Sequence, residues 1–226
     1  PPALKERMDR ARGFLARGSC REATIDLKNL TTEYPKLARG HYLLGAAHAY
    51  CKRHQRALKA YARAIALDPG YRRDARVLED ATAMLGRRRL RMKALEFLAV
   101  KVGRPAMPKL VELASTARNR ALRQRAVQLV EWRKAGEQID RVSSLSLDLV
   151  QLPSSTSCEE RAKIVSRLKE LGDPRAIPAL RKARDQRIRT GVFSTRAKNR
   201  CIREAISDAI KHLLAIKQER SKKGAK

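Results

Sequence analysis

RALKAYARAIALDPG, residues 56–70, is an alanine-rich run closed by a proline, and an earlier version of it stands 34 residues upstream. In REATIDLKNLTTEYPK (21–36), Ala23 aligns with Ala57, Leu27 with Tyr61, Leu30 with Ala64 and Pro35 with Pro69. Further back, Ala11 aligns with Gly45 and Phe14 with His48. A fixed period near this length marks a helical repeat array, in which each unit buries its apolar face by stacking on a neighbour. Small residues let two helices approach, an aromatic fills the gap, and the proline ends the second helix.

Leu44-Gly45, then Ala57, Tyr61, Ala64 and Pro69, stand at the spacings of the tetratricopeptide (TPR) pattern, and this unit resembles a TPR repeat. The first copy resembles a degenerate one, with Arg10-Ala11 where the Leu-Gly pair belongs. A third unit should begin near Arg72, with Leu78 in the first-helix leucine position. Arg91 then replaces the small second-helix alanine, so residues 72–86 read as a capping helix.

From about residue 90 a second repeat appears. RPAMPKLVELAST (104–116) matches DPRAIPALRKARD (173–185), with Ala106 on Ala176, Pro108 on Pro178 and Leu110 on Leu180. LGDPRAIPAL resembles a HEAT repeat. Asp173 has the chemistry of an N-cap and Pro174 of the first helical residue, and Pro178 is expected to bend its helix from within. Residues 138–150 and 158–171 read as two more helices, with Ser157 and Glu160 as a capping box. QLPSSTS (151–157) is a loop, and RIRTGVFSTR (187–196) an insertion between paired helices. Ile202, Ala205, Ile206, Ala209, Leu213 and Ile216 give the final helix its apolar stripe. Residues 219–226 should fray.

Of 226 residues only 4% are aromatic, and strand-like alternation is hard to find. The expected fold is all-α, a right-handed α-solenoid of antiparallel helix pairs, TPR-like over 1–86 and HEAT-like over 87–226. Leu90, Leu95, Phe97, Leu98 and Val102 supply enough apolar surface to make it continuous, with curvature changing near 86–92. No apolar run is long enough to span a membrane. The chain starts at Pro1 with no leader after it, as expected of a processed product or an excised piece.

The four cysteines (20, 51, 158 and 201) form no C-x-x-C pair and suit neither a zinc site nor a disulfide framework. Free thiols are the expectation, Cys20 with Cys51 being the one pairing that the repeat geometry brings into question. His41, His48, His54 and His212 lack partners at ligand spacing, and His41 and His48 read as packing residues. No metal or cofactor site is expected. Phosphate-loop, nucleophile-elbow, zinc-protease and protein-kinase motifs are all missing, so the chain is not expected to be an enzyme. Ser143, Ser144, Ser146, Ser154, Ser155 and Ser157 have no histidine nearby and are explained by loop composition.

Lys and Arg number 52 against 23 Asp and Glu, a net charge of +29. Residues 1–86 hold 17 basic and 9 acidic side chains, and 87–226 hold 35 and 14. RRRLRMK (87–93) and RNRALRQR (118–125) are the densest runs. Two readings follow: the footprint of a nucleic-acid binder, or an arginine bias spread over solvated helix faces.

The TPR resemblance implies a concave groove lined by first-helix residues. They map onto Lys5, Met8, Arg12, Arg39, Tyr42, Ala46, Tyr50, Arg73 and Arg76. Such a basic groove with two tyrosines implies an acidic or carboxylate-bearing peptide partner. Asp9 and Ala46 stand where a carboxylate clamp carries asparagines, so a clamp for a chain terminus is not implied. The order of parts, through LDLVQLPSSTSCEERAKIVSRLKELGDPRAIPALRKAR, resembles the C-terminal non-catalytic region of bacterial, myxobacterial-type serine/threonine protein kinases. That resemblance implies a sensing, scaffolding or docking role, in the cytoplasm or, if a membrane span precedes Pro1, outside it. The alternative is a basic HEAT-like solenoid holding duplex nucleic acid, as in a class of DNA glycosylases. Arg118, Arg120, Arg123 and Arg125 would then contact phosphates, and Trp132 a base.

Overall fold

The computed structural model describes residues 2–189 and 194–224. Among them are twelve α-helices, several short 3-10 turns and one two-stranded sheet, so the chain is all-α in class. It divides into two compact units, Pro1–Leu110 and Val111–Lys226. The boundary expected at 86/87 falls inside the first unit. Leu90, Leu95, Phe97, Leu98 and Val102 are buried there, because the helix they start packs on the two helices before it.

The first unit comprises α1 (Pro2–Ala16), α2 (Cys20–Glu33), α3 (Ala38–Tyr50), α4 (His54–Leu67), α5 (Ala75–Leu85) and α6 (Arg91–Phe97), the last running into a π-turn at Leu98–Val102. Each helix packs on its successor, α3 on α4 most extensively, and α3 also meets α1 and α5. Gly45 explains the close α3–α4 approach, since Tyr61 of α4 lies flat against its Cα and is fully buried. The Tyr61 hydroxyl donates to Asp80 Oδ2 at 2.5 Å, tying α4 to α5. Burial, then this hydrogen bond, push the phenol far above its ordinary pKa. Pro69 stops α4 and opens a 3-10 turn capped by Asp68, and Asp74 caps α5 through the Val77 amide. Met8, Ala11, Leu27, Leu30, Leu43 and Ala47 make the core of the first three helices.

The second unit begins within α7 (Met107–Thr116) and continues through α8 (Arg120–Trp132), α9 (Arg141–Gln151), α10 (Cys158–Glu170), α11 (Ile177–Asp185) and α12 (Arg203–Gly224). Asn119, Asp140 and Ser157 cap α8, α9 and α10 through the amides of Leu122, Ser143 and Glu160. Asp173 accepts from the Arg175 amide, with Pro174 at the first position of a 3-10 turn. Pro178 does not bend a helix from within. The 3-10 turn ends at Ala176 and the α-helix starts at Ile177, so Pro178 sits in its first turn, where no amide donor is required. The matching copy repeats this form, with a 3-10 turn at Arg104–Ala106 and Pro108 second in α7.

Two further expectations are corrected. The insertion forms antiparallel strands β1 (Arg187–Arg189) and β2 (Thr195–Ala197), with Ile188 opposite Arg196; residues 190–193 lie outside the described residues. The cysteines are not free thiols. Cys20 at the start of α2 is bonded to Cys51 at the end of α3, and Cys158 at the start of α10 to Cys201 before α12. Their Cα atoms stand 5.7 and 6.1 Å apart, within the usual range for a disulfide. Beside the second bond, the buried Arg161 donates to the carbonyls of Pro153, Ser154, Thr156 and Lys198 and to Asn199 Oδ1. One side chain thus pins the 151–157 loop to the end of the hairpin.

Candidate interaction surfaces

Of the nine groove positions, Met8, Arg12, Tyr42, Ala46 and Arg76 come together around one recess of about 220 Å³. Helices α1, α3 and α5 bring them there, with Ala11, Leu15, Leu27 and Leu43 completing an apolar lining. The floor is buried and both arginines are exposed. Arg12 pairs with Asp9 at 3.0 Å and Arg76 approaches Asp80 at 4.0 Å, exposed pairs that hold their side chains weakly. Tyr42 is less free than the sequence implied. Its ring stacks on Tyr71 at 4.8 Å between centroids and tilts against Tyr61 at 6.1 Å. Burial, then nearby Asp74, raise its pKa and keep it a neutral donor.

Lys5, Arg39, Tyr50 and Arg73 are exposed but do not line this recess. Tyr50 sits at the C-terminal end of α3, next to the Cys20–Cys51 bond.

The arginine run of the second unit is not the row of phosphate contacts expected. Arg123 is fully buried and donates to Asp148 Oδ1 at 2.5 Å, to the Ala117 carbonyl and to Gln151 Oε1. It occupies the inner face of α8 with Ala126 and Val130, at helical spacing, and is a structural ion pair. Arg120 is half-exposed with Nε 3.5 Å from the same Asp148 oxygen, and Arg125 donates to Gln128. Arg118 is exposed. Trp132, 60% exposed, carries the Arg133 guanidinium 4.7 Å from its ring centroid.

Among the described residues, no cluster of three or more His, Cys, Asp or Glu could hold a metal ion, and no helix is long and apolar enough to cross a membrane. No protein-family model, curated protein or solved structure matches this chain.

The sequence reading missed a second, more voluminous recess. It lies on the opposite side of α3, where His41, Leu44 and His48 (spaced i, i+3, i+7) face α2 and α4. The signal was there to read: no Asp or Glu occurs between Glu33 and Asp68.

Proposed function

We propose that the chain is a non-catalytic interaction module, TPR-like in its first unit and HEAT-like in its second, built as right-handed stacks of helix pairs. The first unit takes an acidic peptide across α1, α3 and α5. The recess that unites Met8, Arg12, Tyr42, Ala46 and Arg76 carries this reading. A pocket of this size takes one apolar side chain, and the two exposed guanidiniums at its rim suit flanking carboxylates. The role fits the sensing or docking region of a bacterial serine/threonine kinase, the resemblance seen in the order of parts.

The pairing of all four cysteines favours the version of that role outside the cytoplasm, since disulfides persist in oxidising compartments. Titration of free thiols on protein purified under non-reducing conditions is expected to find none.

The binding claim is tested with an array of peptides of matched length, acidic against neutral. Acidic peptides carrying one apolar residue are expected to bind, and Arg12→Glu with Arg76→Glu to abolish the preference. Equal binding of acidic and neutral peptides overturns it.

A further inference from the structure

The other face of α3 holds a recess of about 680 Å³ between α2 and α4. Lys28, Arg53, Arg56, Lys59 and Arg63 line it, and no carboxylate does. A second recess of about 580 Å³ adjoins it, sharing Arg53 and Arg56 and adding Lys52, Arg87, Arg88 and Arg89 from the turns before α4 and α6. It too has no carboxylate in its lining. Both volumes fall in the usual range of ligand sites.

Arg56, Lys59 and Arg63 follow one another at i, i+3 and i+7 along α4, a helix with no acidic residue at all. Like charges at such spacings repel. An even bias toward arginine over all surfaces would leave acidic residues interspersed; here they are missing along the whole line. Arg53 is held in place by donating from Nη1 to Thr24 Oγ1 at 3.3 Å, bridging the α3–α4 turn to α2. At the floor of the larger recess, His48 is nine-tenths buried and its Nδ1 has no hydrogen-bond partner.

We propose that these joined recesses bind a linear oligophosphate, a chain of repeated phosphate groups. Guanidinium forks pair with phosphate oxygens two at a time, and six of the nine cations just named are arginines with Arg53 and Arg56 at the junction. Cations strung along two recesses suit a chain of repeated charges, not a single headgroup. Phe, Tyr and Trp are missing from both linings, so the broad aromatic platforms on which successive bases of a single strand stack are missing there. This site is separate from the peptide groove, so either stands if the other fails.

The test is titration calorimetry of the full chain with long-chain inorganic polyphosphate at several salt concentrations. Saturable binding is expected, falling steeply with salt as counterions are released. Arg53→Glu with Arg56→Glu is expected to weaken it about tenfold or more, because both recesses lose their shared contacts. Arg181→Glu with Arg203→Glu, an equal charge change on exposed residues of the second unit, is expected to leave it nearly unchanged. Arg56→Gln with Lys59→Gln gives the same direction of loss and serves if the charge reversal fails to fold. No binding at low salt, or equal losses in both Glu variants, overturns the site. A DNA duplex that binds as tightly as polyphosphate and is lost with the same substitutions overturns the oligophosphate as its occupant.

Discussion

The ring of Tyr61 occupies the space a side chain on Gly45 would need: a Cβ built there falls 2.5 Å from Tyr61 Cδ1 and 2.7 Å from Cε1. The ring is fully buried and its hydroxyl is bound to Asp80, so it has nowhere to move. Gly45→Ala is therefore expected to push α3 and α4 apart and destabilise the first unit by about 1–3 kcal/mol, the usual range for overpacking. Thermal unfolding followed by circular dichroism measures it. An unchanged midpoint would show that the helices are not held at this separation.

That contact is also why the α3–α4 pair was legible in the sequence. The Leu44-Gly45 and Ala57-x-x-x-Tyr61 spacings record side chains that meet across one helix pair, and Asp173 and Ser157 record caps that act within a few residues. Partners set by packing between distant helices leave no such trace. Cys158 and Cys201 are 43 residues apart and meet because α10 packs on α12. The strands at 187–189 and 195–197 are too short for alternation to register. Arg123 was hidden in a run that looks solvated; its spacing to Ala126 and Val130, with Asp148 one helix on, is the pattern that marks it as inward-facing.

The two disulfides close loops of 31 and 43 residues' separation. Loop-closure entropy assigns each a stabilisation of about 4 kcal/mol. Cys158→Ala with Cys201→Ala should lower the denaturation midpoint of the second unit, and Cys20→Ala with Cys51→Ala that of the first. If thiol titration finds four free cysteines in native protein, the oxidising-compartment reading is wrong.

Asp148 is the only carboxylate bonded to the buried Arg123 among the described residues. Asp148→Ala would leave a buried guanidinium without its counter-charge, a loss of about 3–5 kcal/mol. Arg118→Ala, on the exposed surface nearby, is expected to change stability by no more than about 0.5 kcal/mol. Urea denaturation distinguishes them; comparable small effects from both would place Arg123 in solvent.

His48 gives the first unit an acid sensitivity. Burial, then Arg56 and Arg53, lower its pKa from the ordinary 6.5. Its neighbours in the recess are Thr24 and Lys28 of α2, with Arg53, Arg56, Lys59 and Arg63 on the α4 side, and none of these is a carboxylate. The folded state therefore binds the proton less readily than the unfolded chain. Stability is fully present above pH about 6.5 and falls as pH drops from there through the lowered folded pKa. His48→Gln should flatten that slope between pH 7 and 5. Parallel decline of both proteins would assign the acid sensitivity elsewhere.

The most direct measurement of the interaction-module reading is amide chemical-shift mapping of the full chain titrated with an acidic peptide selected from the array. Shifts are expected at Met8, Arg12, Tyr42, Ala46 and Arg76, around the α1–α3–α5 recess, with His48 and Arg53 on the far side of α3 unmoved. Shifts confined to His48, Arg53 and Arg56, or no saturable shifts at all, would contradict peptide binding in the groove.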